Sequence, residues 1–152
     1  MTSRLVDGAL ARALYFWITL FKYKHMYDIN REKDESYEDC YVYKSKNEHG
    51  QVIVCEGYRT TDGYINFSFY ITTKRKSGFQ YGKVTGKDGV KSLLWAKKCL
   101  LDFISFSKRK FKGFILIVHP DDNRRRKVYE HYLIPLGFNV TKDKHRSLYM
   151  RL

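Results

Sequence analysis

Glycines and lysines are concentrated in segment 82–92, directly before an apolar helical pattern. Glycine lets a backbone approach a phosphate closely, and the N–H groups at a helix N-terminus bind phosphate oxygens. The segment therefore suits a phosphate-bearing ligand. The alternative is that Asp88 caps the helix and the glycines only form the preceding turn. A Walker-type site is excluded, because the spacing from Gly82 to Gly86-Lys87 is one residue short and Asp88 replaces the magnesium-binding Ser or Thr.

Positive charge is concentrated in the C-terminal half of the chain. The formal net charge is +13, with a balance of −1 over residues 1–69 and +14 over residues 70–152. Clustered cations attract polyanions, so this half predicts a nucleic acid or an acidic protein as partner. A solubilising surface is the alternative. The predicted nucleic-acid contacts are Lys74, Arg75, Lys76, Lys108, Arg109, Lys110, Arg124, Arg125 and Arg126.

Cysteine usage indicates a reducing compartment. Cys40, Cys55 and Cys99 stand far apart, and an odd count without paired spacing predicts buried thiols in a cytoplasmic protein. No Cys and His residues have the spacing of zinc ligands, so no metal site is predicted. The apolar run 13–21 is too short to span a bilayer and is followed by basic residues rather than a cleavage site. We expect a packed helix there and no membrane association.

Hydrophobic periodicity predicts the elements that must position these groups. The predicted helices cover 9–24, about 90–107, and 123–132. The predicted strands cover 40–46, 51–59, 64–73, 114–118, a short segment at Val140, and 148–152. The first three strands alternate with period two and are joined by turns, which predicts an antiparallel meander. Residues 28–39 are predicted as a short helix or loop, and 74–88 as a loop with or without a short hairpin.

The order of these elements is helix, three strands, helix, strand, helix, strand, strand. It predicts one domain over residues 1–152 of the α/β (α+β) class, with a mixed, mostly antiparallel central sheet flanked by helices. Over residues 40–152 this order resembles the GNAT superfamily of N-acetyltransferases. The best local match is Val118-His119-Pro120-Asp121-Asp122-Asn123, followed by Val128-Tyr129-Glu130 and Leu136-Gly137-Phe138. In that family a strand commonly leads into an Asn-bearing helix, then a Tyr, then a Gly-Phe that begins the next strand.

The resemblance implies acetyl-CoA, or another acyl-CoA, as cofactor. Tyr129 would be the general acid that protonates the departing thiolate. The implied cofactor-binding residues are Lys83, Gly86, Lys87, Gly89, Lys91 and Asn123. Asp88 departs from the family's phosphate-loop pattern. The strand before the loop contains no carboxylate, so Glu56 on the preceding strand is the candidate general base.

Three functions follow from these residues. The first is an acyl-CoA-dependent N-acyltransferase that acts on an acidic or nucleic-acid-associated acceptor. The second is a non-catalytic nucleic-acid-binding protein on a degenerate GNAT-like fold, favoured by Asp88 and the missing strand carboxylate. The third is a basic interaction protein that inhibits a nucleic-acid enzyme, and it would bind protein with little affinity for nucleic acid.

Overall fold

The computed structural model describes residues 8–14, 26–75, 78–80 and 90–152, and residues 73–75 and 78–80 enter through their backbone alone. The helices are α1 (helical residues 8–14), α2 (Val90–Lys110) and α3 (Asn123–Leu133), and a 3-10 turn over Ile134–Leu136 follows α3. The strands are β1 (Arg31–Lys33), β2 (Cys40–Lys46), β3 (Val52–Arg59), β4 (Tyr64–Arg75), β5 (Gly78–Gln80), β6 (Ile115–Val118), β7 (Asn139–Val140) and β8 (Leu148–Arg151).

Seven strands form the central sheet in the order β1-β2-β3-β4-β6-β8-β7, and β5 forms a hairpin with the end of β4. Its strand pairs are antiparallel except for β4 and β6, which run parallel. Helix α2 makes the crossover that two parallel neighbours require. The predicted α/β class, with a mixed and mostly antiparallel sheet flanked by helices, is confirmed.

The predicted meander of β2, β3 and β4 is also confirmed, and both of its turns contain a glycine at positive φ. In the first turn, Asn47 Oδ1 accepts hydrogen bonds from the N–H groups of His49 and Gln51, each at 3.0 Å. Gly50 has φ +72° there, and Gly63 in the second turn has φ +78°, a region that favours glycine. These turns set the register of the three strands.

Helix α2 covers one face of the meander and forms the centre of the core. The Phe103 ring lies 5.4 Å from the Phe67 ring, and Trp95 lies 6.3 Å from Phe69. Phe103 also lies directly over Gly57 of β3, where an added Cβ would stand 2.2 Å from the nearest ring carbon. Only a residue without a Cβ permits this close approach of helix to strand.

We expect Gly57→Ala to lower the free energy of unfolding by about 1–3 kcal/mol, because the new methyl group overlaps a fully buried ring. Urea denaturation measures the change, with Ser105→Ala on the exposed face of α2 as control. Adding Phe103→Leu should make the double variant less destabilised than the sum of the two single changes. An unchanged midpoint for Gly57→Ala alone would show that α2 can shift without cost.

A polar network joins β1 and β2 to α2. One oxygen of Asp102 accepts a hydrogen bond from the Tyr43 hydroxyl at 2.6 Å and one from Arg31 Nη1 at 2.8 Å. The Arg31 guanidinium also lies 4.0 Å from the centroid of the Phe106 ring. Burial, and then the hydrogen bond to Asp102, raise the pKa of Tyr43 well above its usual range. The phenol therefore keeps its proton in the folded state.

The raised pKa of Tyr43 predicts a loss of stability above about pH 10, where the unfolded chain ionises this phenol and the folded chain does not. The stability of Tyr43→Phe should fall less steeply from pH 10 to 11.5, by about 1.1 kcal/mol per pH unit on average. Urea denaturation at several pH values measures both slopes. Tyr37→Phe, at an exposed position, is the control and should keep the wild-type slope. Equal slopes for Tyr43→Phe and wild type would contradict the prediction.

Some boundaries differ from the sequence prediction. The prediction of a short helix or loop over 28–39 is wrong at Arg31–Lys33, which form β1, because the contacts of Arg31 with α2 hold this segment against β2. Helix α2 runs to Lys110, three residues beyond the predicted end. Of the predicted helix 9–24, residues 9–14 are helical and residues 15–24 lie outside the described ranges. Among the residues that the structure describes, no helix is long and apolar enough to cross a membrane.

Candidate active site

Strands β4 and β6 pair only briefly before they separate. The parallel register joins Tyr64–Asn66 to Ile115–Ile117, after which β4 continues to Arg75 while β6 ends at Val118. A cavity of about 290 Å³ opens at this point, between the two strands and helices α2 and α3. In open α/β sheets, ligands bind at the carboxyl ends of parallel strands where their connections diverge. The position of this cavity is therefore that of a ligand site.

The walls of the cavity are mainly apolar, with a few polar groups. The apolar lining residues are Phe67, Phe69, Leu93, Ala96, Leu100, Val118, Val128 and Leu133. The residues with polar atoms are Tyr58, Asn66, Ser68, Lys97, His119, Asp121, Tyr129 and Tyr132. Helices α2 and α3 meet over the cavity, where Lys97 Nζ lies 5.6 Å from the centroid of the Tyr132 ring. Such a lining suits a ligand that is apolar along its length and is oriented by a few hydrogen bonds.

Tyr129, the predicted general acid, lies on α3 and lines this cavity. Burial raises the pKa of its phenol to about 12, the nearby Arg125 guanidinium opposes the shift, and the Asp121 carboxylate adds to it. At neutral pH the hydroxyl is therefore protonated and can donate a hydrogen bond to a ligand atom in the cavity.

The start of α3 is held by two carboxylates. Asp122 is the N-cap, and its Oδ1 accepts a hydrogen bond from the Arg125 N–H at 2.7 Å. The Arg125 guanidinium in turn donates to Asp121 Oδ2 at 2.7 Å, and its side chain is only 13% exposed. Arg125 is thus held at the start of α3 near Tyr129, although it does not line the cavity. Of its neighbours, Arg124 is exposed and Arg126 is half-buried.

Glu56, the candidate general base, lies on the face of the sheet opposite α2. Its neighbours Cys55 and Gly57 face Cys99 and Phe103 of α2, so strand alternation turns Glu56 the other way. Its Oε1 accepts a hydrogen bond from the Tyr70 hydroxyl at 2.5 Å. Glu56 does not line the cavity, although Ser68, its partner across the β3–β4 ladder, does. Of the two predicted catalytic residues, Tyr129 therefore lines the cavity and Glu56 stands outside it.

His119 lies at the carboxyl end of β6, and sequence reasoning did not assign it a role. It is exposed and lines the main cavity as well as a neighbouring cavity beside the β7–β8 connection. Its Nδ1 lies 2.6 Å from Ser147 Oγ. The sequence did contain a signal, because a histidine that directly follows a buried apolar strand stands where such sheets bind ligands.

Most of the predicted cofactor-binding residues cannot be placed around the cavity. Lys83, Gly86, Lys87 and Gly89 lie outside the described residues. Lys91, in the first turn of α2, is exposed and forms an ion pair with Glu48. Asn123 is the first residue of α3 and is exposed, and it does not line the cavity.

The basic clusters are divided between exposed and engaged side chains. Lys108 and Arg109 are exposed at the end of α2. Lys110 donates to the Tyr41 hydroxyl at 2.5 Å and lies 3.7 Å from Asp39 Oδ1. The side chains of Lys74 and Arg75, and all of Lys76, lie outside the described residues. Their predicted contact with nucleic acid stays a prediction.

No family model, curated protein or solved structure matches the chain. Within the described residues there is also no group of three or more His, Cys, Asp or Glu side chains that could hold a metal ion. Function must therefore be inferred from the cavity and from the groups that line it.

Proposed function

We propose that the protein is an acyl-CoA-dependent N-acyltransferase of the GNAT type. The observation that carries the proposal is a protonated phenol, Tyr129, in an apolar cavity at the separation of two parallel strands. The element order that underlies the family resemblance is present from β2 to β8. Tyr129 of the sequence motif and His119 at the end of β6 line the same cavity. The family resemblance was based on sequence order alone and did not include this proximity.

The cavity suits the acyl end of such a thioester. When bound, an acyl-CoA supplies an acyl group on sulfur whose carbonyl carbon an amine can attack. Apolar side chains from β4, α2 and α3 would exclude water from that bond. Beyond Asn66, β6 no longer pairs with β4, so the backbone of β4 at residues 67–69 borders the cavity and can hydrogen-bond an extended ligand that carries amide groups.

Tyr129 would act on the leaving sulfur. A phenol of pKa about 12 loses its proton to a thiolate, whose conjugate acid has a pKa of about 8.5, only at a cost of about 5 kcal/mol. Tyr129 therefore first stabilises the developing thiolate as a hydrogen-bond donor. Complete transfer of its proton requires a second group that returns a proton to the tyrosinate.

The acceptor amine would approach from the face of the sheet that carries Glu56. This face borders the gap at Ser68, Asn66 and Tyr58, all of which line the cavity. An amine that enters the gap from this side meets the cavity without displacing α2 or α3. The predicted role of Glu56 is then to attract the amine or to accept its proton through water, since Glu56 itself stands back from the cavity.

A second candidate function is supported by the charge distribution. The balance of +14 over residues 70–152 exceeds what one acyl-CoA needs, and Lys108, Arg109 and Arg124 are exposed. A protein that binds nucleic acid without catalysis would have such a surface. In the enzyme, the same surface would recruit an acidic acceptor.

Titration calorimetry with acetyl-CoA tests the first candidate, and a DNA and RNA panel at two salt concentrations tests the second. Saturable binding of acetyl-CoA, together with release of free thiol in the presence of amines, supports the acyltransferase. Binding of nucleic acid that falls steeply with salt, without binding of acetyl-CoA or longer acyl-CoA esters, would replace it by the second candidate. Free CoA is the matched control for the contribution of the thioester.

A further inference from the structure

His119 is placed to touch a ligand in the cavity. It directly follows β6, at the point where this strand has separated from β4, and its side chain lines the cavity together with Tyr129. Among the described residues that line this cavity, His119 is the one histidine. An exposed imidazole at the carboxyl end of a parallel strand is a group that can exchange protons with a bound molecule.

The ring of His119 is held by a buried partner. Its Nδ1 lies 2.6 Å from Oγ of Ser147, a residue that is only 2% exposed. Ser147 is fixed in turn by Thr141, whose Oγ1 accepts a hydrogen bond from the Ser147 N–H at 2.9 Å and whose N–H donates to the Ser147 carbonyl at 2.8 Å. When Nδ1 carries the proton and donates it to Ser147 Oγ, the lone pair is on Nε2. One nitrogen then orients the ring and the other is available as a base.

We propose that His119 is the base that removes the proton from the acceptor amine, with Ser147 as its positioning residue. The inference rests on the proposed acyltransferase function and adds a group to it. Amines are mostly protonated at neutral pH and attack a carbonyl only through a free electron pair. A base beside the reacting bond is therefore needed, and His119 stands in the same cavity as Tyr129 whereas Glu56 does not.

The ammonium form of the acceptor first passes one proton through His119 to solvent, and the proton balance of the attack by the neutral amine then closes with these two residues. The amine nitrogen forms a bond to the carbonyl carbon, the carbon–sulfur bond breaks with its electron pair on sulfur, and the nitrogen gives its proton to His119 Nε2. Tyr129 gives its proton to the sulfur. An imidazolium is ordinarily a stronger acid than a phenol, so the proton on His119 returns to the tyrosinate, directly or through water. The products are the amide and a free thiol, and both side chains regain their starting states.

The test uses His119→Gln in the full-length protein, with His145→Gln as the matched control. His145 is also exposed and lines the neighbouring cavity, but not the cavity that Tyr129 lines. We expect His119→Gln to lower kcat for amine acylation by about 100-fold, with acetyl-CoA affinity within twofold of wild type. Added imidazole should restore part of the lost turnover in this variant, and His145→Gln should behave as wild type.

Three results would overturn the inference, and they differ in what they leave standing. Wild-type turnover in His119→Gln removes His119 from the mechanism but leaves the acyltransferase intact. A loss of turnover that imidazole does not restore, together with weaker acetyl-CoA binding, assigns His119 to ligand binding or to folding instead. A wild-type protein that neither binds acetyl-CoA nor acylates amines removes both this inference and the proposed function.

Discussion

Tyr129→Phe is expected to lower kcat for acyl transfer by about 100-fold, while the affinity for acetyl-CoA stays within about twofold of wild type. The change removes one hydroxyl and keeps the ring, so the apolar wall of the cavity is preserved. The lost group is the hydrogen-bond donor to sulfur, an interaction that strengthens only as negative charge develops on the leaving thiolate. Its removal should therefore affect turnover and not ground-state binding.

Thiol release under saturating acetyl-CoA measures kcat, and calorimetry measures affinity. Tyr132→Phe is the control, because Tyr132 lines the same cavity and its ring contacts Lys97. We expect Tyr132→Phe to keep turnover within a few-fold of wild type. Equal losses in the two variants would indicate a general effect of polarity in the cavity, and no loss in Tyr129→Phe would exclude the phenol from the reaction.

Short-range patterns were sufficient to predict the elements of the meander. Alternation over β2, β3 and β4 fixes which side chains face α2, and Gly63 closes the turn between β3 and β4. The strand at Arg31–Lys33 was missed because its sequence is polar and because it is held by a contact with a distant element, helix α2. The Asp102 carboxylate that binds Arg31 lies 71 residues further along the chain. No local pattern reports such a contact.

The candidate site shows the same division between local and distant information. Tyr129 could be predicted from a motif within α3 and the strands around it. The cavity itself depends on the register of β4 against β6, two strands that are separated in the sequence by the whole of helix α2. His119 and Ser147 are 28 residues apart, and their contact follows from the pairing of β6 with β8. The sequence could therefore indicate His119 as a residue at a strand end, but not its contact with Ser147.

The structure also changes what the charge pattern means for individual residues. Arg124, Arg125 and Arg126 were all predicted to contact a polyanion, on a helical turn whose charges point in several directions. In the fold, Arg125 contacts Asp121 and Asp122 at the start of α3, whereas Arg124 is exposed. The carboxylates of Asp121 and of the N-cap Asp122 decide this difference, since they supply the negative charge that holds Arg125. Arg124 is the exposed arginine of the run and is therefore the one most accessible to a polyanion.

Filling the cavity from α2 should weaken ligand binding without unfolding the protein. Ala96 is 9% exposed, and its side chain lines the cavity. In Ala96→Leu, three further carbon atoms would occupy space that the acyl end of the ligand needs. We expect acetyl-CoA affinity to fall at least about tenfold, which corresponds to about 1.4 kcal/mol of binding free energy. Calorimetry measures the affinity, and thermal denaturation measures the fold.

Ala96→Leu should lower the affinity for acetyl-CoA without lowering the melting temperature. Added carbon atoms in an apolar cavity bury more surface, so the melting temperature should stay at or above that of wild type. Ser105→Leu, on the exposed face of the same helix, adds the same kind of side chain away from the cavity and should leave affinity unchanged. Retained affinity in a folded Ala96→Leu protein would place the acyl-CoA elsewhere. A lower melting temperature together with lost affinity would instead mean that the leucine displaced α2. Leu93→Phe, on the same wall of the cavity, would then distinguish occupation of the cavity from loss of packing.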